Sequence, residues 1–500
     1  MLIGSGWTRA RHVFANFRRD ERGVIAIMTA LMMPVLIGFG VLAIDAGRHF
    51  NLQTSLQGGA DALALAAAAE LDGRSDAIER ANRAIDNAVV GNNQRFGEGA
   101  SAINRSNVSV RFLRGLPASD RTNIDAALVT TDPALARLAE VTVNPVTSRN
   151  MFAAAASMAQ VSQQTNATAV AGFDSASCNI TPLFMCNPFE GANPPLHRAA
   201  RDPSFRLRQI AMKAKGSTYG SGNYGYLEPA AGNGGSAVRE ALAIDKPKGC
   251  YRLEGVELQP GNISSTAEAM NVRFDMYEGN FSGNKNDVAY RPAQNVRKGF
   301  GGATCNKPEP DYNPAIRPDL NPGKSLGLPR DNCFYDNSCP TLGATMAGRI
   351  GNGEWDFEAY WKRTYGGLAF PNSWSNTNRP SRYEVYRYEI ESSDKLLDVA
   401  TVNATKKEIG GPVCYSGTKP TVEDVDRRVF LGAIIDCNKH ATQLNGSSGG
   451  VIPVTAYAKF FLTEPMDKND GTIWAEMIEL VEPGRPSAKG IIRDTVQLYR

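Results

Sequence analysis

Histidine is scarce in this 500-residue chain, and cysteine is absent from its first 177 positions. The four histidines are His12, His49, His197 and His440. The first two flank an apolar segment, and His197 stands in NPPLHRAARD with no nucleophile motif beside it. That disfavours histidine-based acid–base catalysis, which needs a positioned partner. No C-x-x-C or H-x-x-x-H pair offers ligand spacing for a metal. Net charge is also missing from most of the chain. Residues 1–22 carry Arg9, Arg11, Arg18, Arg19 and Arg22 against Asp20 and Glu21, which accounts for the whole formal charge of +3. Residues 45–500 therefore sum to zero, and no basic surface for nucleic acid is expected. There is no internal repeat.

A long uncharged run is present instead. Val24 to Ile44 reads VIAIMTALMMPVLIGFGVLAI, 21 residues without a charge. As a helix rising about 1.5 Å per residue it covers roughly 30 Å, the thickness of a bilayer core. Arginines precede it and none follows within three residues, so the N-terminus is expected in the cytoplasm and the remainder outside. Pro34 at mid-run is tolerated in a membrane helix. A cleaved signal peptide competes with this reading, but the run is long for one and DAGRHFNLQ is a poor small-x-small cleavage site. Gly23 sits where a prepilin cleavage glycine would, yet Met28 stands where prepilins place Glu, so no processing is predicted there.

All eight cysteines lie beyond the run: Cys178, Cys186, Cys250, Cys305, Cys333, Cys339, Cys414 and Cys437. An even number on the outer side fits disulfides in an oxidising compartment. Short loops close easily, which favours Cys178 with Cys186, Cys333 with Cys339 and Cys414 with Cys437 among the 105 connectivities.

Past Asp45 the helical pattern continues through Leu52, Leu56, Leu63 and Ala67, with a run of alanines from Ala60 to Ala69. That face packs either on the chain's own domain or on another molecule. A second amphipathic helix is predicted from about Ser75, with Ile78, Ala81, Ile85 and Val89 on one side, ending near Gly91. Between about 100 and 172 the pattern predicts strands at Val108–Phe112, Ala139–Pro145 and Thr165–Val170, with a helix from Ser148 to about Gln160. Beyond Phe173, strands are expected at Cys250–Leu258, Met270–Tyr277 and Arg382–Ile390. VFLGAII, VIPVTAYAKFFL and WAEMIELV read as core strands of one sheet. From Gly279 to about Arg349 the Asn, Pro, Gly and Asp content indicates a long loop.

The stretch Arg18 to Leu71 resembles the N-terminal region of TadE/TadG-like proteins of the tight-adherence (Tad/Flp) pilus-assembly system. The shared features are Arg22-Gly23, the mid-run Pro34, the exit Asp45-x-Gly47-Arg48, and Leu56-Gln57 followed by Asp61-Ala62-x-Ala64-Leu65-Ala66. Cys178–Glu190 and Asp426–Pro465 are similar to C-terminal segments of longer members. The resemblance implies assembly, anchoring or adhesion of a pilus. Many longer members carry a von Willebrand type A-like domain with a D-x-S-x-S metal site; Asp174-Ser175-Ala176-Ser177 has Ala where the first Ser belongs, so no metal site carries over.

The expectation is an α+β protein in four parts: a basic N-terminus (1–23), a transmembrane helix (24–44), a pilin-like α+β stalk (45–172) and a disulfide-containing, β-rich extracytoplasmic domain (173–500). It is anchored in the bacterial inner membrane, contacts membrane lipid and Tad/Flp pilus-assembly subunits, and is not an enzyme. The alternatives are a binding protein for surface polymer and an anchored envelope hydrolase. Glu354, Asp356, Trp355 and Trp361 could imitate a carboxylate pair with sugar platforms, although such aromatics more often pack in a core. Asp467–Asp470 reads as a polar turn rather than a calcium loop. Gly-rich Tyr219–Ser236 lacks the strand and Lys-Ser/Thr of a phosphate cradle. No catalytic, cofactor-binding or metal residue is assigned.

Overall fold

The structure, a computed structural model, describes residues 22–72, 74–91, 103–117, 122–133, 135–149, 162–216, 218–252, 255–260, 263–299, 305, 327–341, 348–402, 407–424, 426–445, 451–481 and 491–499. Two compact units divide it: the chain up to Asp174 together with its last residues from Thr495, and Ser175–Asp494.

The first unit begins with helix α1 (Arg22–Ala68), which runs unbroken through Pro34. Its second half buries Leu56, Ala60, Leu63, Ala64 and Ala67, which share one face of the helix. Of the two readings of this face, packing on the chain's own unit is the one realised. Glu70 and Asp72 close the helix, and Arg80 clamps the turn by pairing with Glu70 at 2.9 Å and Asp72 at 2.7 Å. Helix α2 (Ala77–Gly91) then turns Ala81 and Ile85 onto α1.

Strands β1 (Val108–Leu113), β2 (Leu138–Arg149) and β3 (Ser162–Cys178) form an antiparallel sheet that β11 (Ile492–Leu498) extends on the far side of β3. The register shift in β2 between Val143 and Val146 falls at Pro145, which has no N–H for the ladder. Val141, Val143, Ala167 and Ala169 join the helical stripe in one core, and the Tyr499 N–H donates to the Val170 carbonyl at 2.8 Å. The helix expected over Ser148–Gln160 is corrected at its start, because Ser148 and Arg149 are paired strand residues; the rest lies outside the described residues.

The second unit is built on a closed six-stranded barrel in the order β10-β5-β6-β4-β8-β9. Its strands are β4 (Leu183–Cys186), β5 (Gln209–Ala214), β6 (Asn223–Tyr226), β8 (Val429–Ile435), β9 (Ala456–Leu462) and β10 (Ile473–Val481). The pairs β4/β8 and β5/β6 are parallel. Alternate residues of all six strands, among them Met185, Met212, Tyr226, Phe430, Phe460 and Ala475, meet in a single cluster, the barrel's interior. Helices α3 (Gly234–Ala243) and α4 (Thr266–Asn271) contribute Leu242 and Met270 to it. Helices α5 (Phe357–Tyr365) and α6 (Arg382–Glu391) gather Trp355, Phe357, Trp361 and Tyr386 around Phe461 of β9.

Three expected strands are corrected. Arg382–Ile390 is helix α6, started by a capping box in which Ser381 and Glu384 bond each other's backbone amides; it buries Arg382, Val385, Tyr386 and Glu389 at helical spacing. Met270–Tyr277 is the end of α4 followed by a 3₁₀ turn. Its apolar residues are buried as a strand's would be, but so are Asn271, Arg273 and Asp275, which bond outside the segment. In Cys250–Leu258, strand β7 covers only Cys250–Arg252, with single bridges at Val256 and Leu258.

The disulfides are Cys178–Cys250, Cys186–Cys437, Cys305–Cys414 and Cys333–Cys339. Only the last was anticipated. Cys178 and Cys250 are directly opposed on β3 and β7. Cys186 ends β4 beside Ile435 of β8, two residues before Cys437. Strand pairing brought together partners that loop length alone disfavoured.

Candidate functional site

The first candidate is the exposed half of α1. Among the described residues, one helix is long and apolar enough to cross a membrane, and its most apolar stretch buries nothing against the protein. Leu31, Leu36, Phe39 and Leu42 are each about two-thirds exposed or more. A water-facing helix would alternate apolar and polar faces, whereas this one is apolar all round. Its one hydroxyl for which a bond is resolved there, Thr29, donates to the Ile25 carbonyl at 2.7 Å, so it needs no water. Docking begins abruptly lower down. The His49 Nδ1 lies 3.5 Å from the Thr165 hydroxyl, and the Gln57 amide donates to the Thr168 carbonyl at 3.1 Å.

The second unit holds a pocket of about 580 Å³. Tyr224 and Tyr226, two residues apart on β6, present their rings on the same side, with centroids 5.8 Å apart. The Tyr224 hydroxyl donates to the Gly471 carbonyl at 2.7 Å, which ties β6 to the 466–471 turn. Burial raises the hydroxyl pKa of both tyrosines; at the same pocket it pushes that of Tyr219 up to about 12. Thr266 and Glu268 of α4, Asp470, and the apolar Ile263 and Met466 also line it. Sequence reasoning missed this site. The available signal was the alternation Tyr224-Gly225-Tyr226, weighed above only as a phosphate cradle.

The other candidates are placed elsewhere. Trp355 and Trp361 are buried in the α5–α6 cluster, so they are core residues and not sugar platforms. Asp356 caps α5 through the Ala359 N–H. Asp174–Ser177 runs within β3 rather than in a ligand-binding loop. His197 lies on a single helical turn and His440 hydrogen-bonds Gln443, far apart in sequence from His49; His12 lies outside the described residues. Among the described residues no three His, Cys, Asp or Glu side chains group as a metal site.

Charge is nonetheless buried in the second unit. Arg382, fully enclosed, pairs with Asp331 and Glu476 at 2.6 Å each. Glu389 accepts from the Tyr365 hydroxyl at 2.8 Å and from Tyr360 and Asn295. Desolvation pushes the Glu476 carboxyl up to about 7, and Asp275, Glu408, Asp426 and Glu464 shift in the same direction. Since the folded state holds these protons more tightly than the unfolded chain, their contribution favours folding at low pH. It is lost as pH rises from about 4.5 through 7, by up to about 3 kcal/mol for Glu476 alone. The thermal midpoint of the full chain is expected to fall between pH 5 and 8, and Glu476→Gln should flatten that slope. Calorimetry across the range checks it, and a midpoint that rises with pH contradicts it.

An α+β protein with a long N-terminal helix, apolar and exposed over its first half, is the class these features define. Within it, residues 23–70 match the model of a family described as putative Flp pilus-assembly TadE/G-like. The match coincides with α1 and the start of its closing turn, in agreement with the resemblance read at Arg18–Leu71, and does not extend to Cys178–Glu190 or Asp426–Pro465. No curated protein matches the chain, and no solved structure does.

Proposed function

We propose that this chain is a non-enzymatic, membrane-anchored component of Tad/Flp pilus assembly, with residues 24–44 in the inner membrane, the basic N-terminus in the cytoplasm and both compact units outside. The observation that carries the reading is the coincidence of the family match with a helix whose upper half is exposed and apolar while its lower half is buried in its own unit. Placing the exposed half in lipid removes more than ten large apolar side chains from water, each contributing about 1.5–3 kcal/mol. The arginine-rich flank supports the orientation. The pairing of all eight cysteines supports an oxidising compartment.

In this reading, partner subunits meet α1 through the apolar half and not through Leu56 or Leu63, which are already buried. A photo-crosslinker at Phe39 or Leu42 is expected to capture pilus-assembly subunits from intact envelopes. The same group at Leu63 should capture none. The full chain should remain in the membrane pellet after alkaline carbonate extraction, and the double substitution Leu31→Arg, Leu36→Arg should release it, since each charge at mid-span costs about 3 kcal/mol. Wild-type chain in the soluble fraction would sink the anchor. Capture of lipid alone at Phe39 and Leu42 would sink the pilus partner.

A further inference from the structure

The β2–β3 ladder climbs α1 toward the apolar stretch. The Gln57 amide reaches the Thr168 carbonyl and the His49 ring reaches the Thr165 hydroxyl, so strand and helix advance in the same direction. The helix covers about 12 Å between those contacts and β3 about 10 Å, which makes the two nearly parallel. The ladder then continues past Thr165 to the pair Arg149 and Ser162. That is about 10 Å further, or roughly seven residues of helix, and sets the end of the ladder level with Leu42. Exposure along α1 agrees. On the face above His49, Asp45 is buried, and Ala46 and Val41 are half-buried. Since the uncharged run closes at Ile44, about 3 Å from that level, the ladder ends at headgroup depth, where strand edges are still hydrated.

Composition at that level suits lipid better than water. The last paired residues, Ser148 and Arg149 with Ser162 and Gln163, are polar and carry a single charge, which is positive. An arginine fits headgroup depth, since its stem tolerates apolar surroundings while its head meets phosphate. The sequence that joins the two strands, residues 150–161, reads NMFAAAASMAQV, without charge, glycine, proline or aspartate. Connections that face water are ordinarily rich in those residues. No charge then appears before Asp174. By alternation Ser162 shares a face with Gln164, Asn166 and Thr168, which are exposed, so that face is open to whatever surrounds α1 at each level.

We propose that the end of the β2–β3 ladder, Arg149 opposite Ser162, is a phospholipid-contact site that holds the first unit on the bilayer surface at a second point beside α1. This rests on the reading of α1 as a membrane anchor. The test uses the full chain in phospholipid nanodiscs, with a photo-crosslinking phenylalanine analogue placed singly at Leu36, Ser162 or Thr168 and adducts read by mass spectrometry. Phospholipid adducts are expected at Leu36 and Ser162. They should be lost at Thr168, on the same face about 20 Å further from the membrane. Should the group at Ser162 disturb folding, Arg149, directly opposite, takes it with the same expectation. Adducts at Leu36 without any at Ser162 or Arg149 overturn the proposal and leave the anchor standing. So does capture of a second copy of the chain there in place of lipid. Equal lipid adducts at Ser162 and Thr168 also overturn it, because the sheet would then lie flat on the bilayer. Lipid adducts at none of these positions sink the anchor and the proposal with it.

Discussion

Joint replacement of Cys186 and Cys437 by alanine is expected to destabilise the second unit by about 5 kcal/mol, the largest effect of any covalent change in this chain. The bond joins positions 251 apart and encloses three of the barrel's six strands, β5, β6 and β8. In the chain-entropy model the loss grows with the logarithm of the enclosed loop, to about 5 kcal/mol here and about 2 kcal/mol for Cys333–Cys339, whose separation is 6. Location adds to length. Cys186 and Cys437 are both fully buried, at the end of the parallel pair β4/β8, which no hairpin turn holds in register. Urea unfolding of C186A/C437A beside C333A/C339A measures the difference. A larger loss in the short-loop variant would refute the argument.

Arg382→Met should cost about 3–5 kcal/mol, because it strands two carboxylates away from water without their counter-charge. The guanidinium does more than pair with Asp331 and Glu476. It donates to the Pro329 carbonyl at 2.7 Å and lies over the Trp355 ring at 4.9 Å, so it fastens α6 to β10 and to the 327–331 segment. Arg382→Lys keeps the charge but loses the planar fork that reaches both carboxylates, and an intermediate loss is expected. Trp355, packed on the guanidinium, makes tryptophan fluorescence a suitable probe in denaturant titrations. A loss under about 1 kcal/mol for Arg382→Met would show that the two carboxylates are neutralised by protonation at no cost.

Legibility along the chain follows the reach of the interactions involved. Helix α2 and strands β1, β8, β9 and β10 were readable because their apolar residues repeat with the element's own period. Arg382–Ile390 misled because three tyrosines and a valine resemble a strand, while the decisive signal, Ser381 three residues before Glu384, was local and present. Met270–Tyr277 was harder. Its alternation is apolar and polar, but the polar partners, such as the Val413, Cys414 and Tyr415 amides that bond Asp275, lie about 140 positions away. The pocket was illegible for the same reason: Tyr224 and Tyr226, Thr266 and Asp470 come from three distant segments, and no short pattern records their meeting.

Sequence alone determined the apolar helix, its charged flank, its TadE/G-like character and the confinement of cysteine to one side of it, since each depends on consecutive residues and on the period of a single helix. Tertiary structure decided the disulfide pairs, the barrel order, the burial of Leu56 and Leu63 within their own unit, and the pocket. Those depend on strand pairing between segments far apart in the chain, where proximity is set by the whole packed core and not by spacing along the sequence.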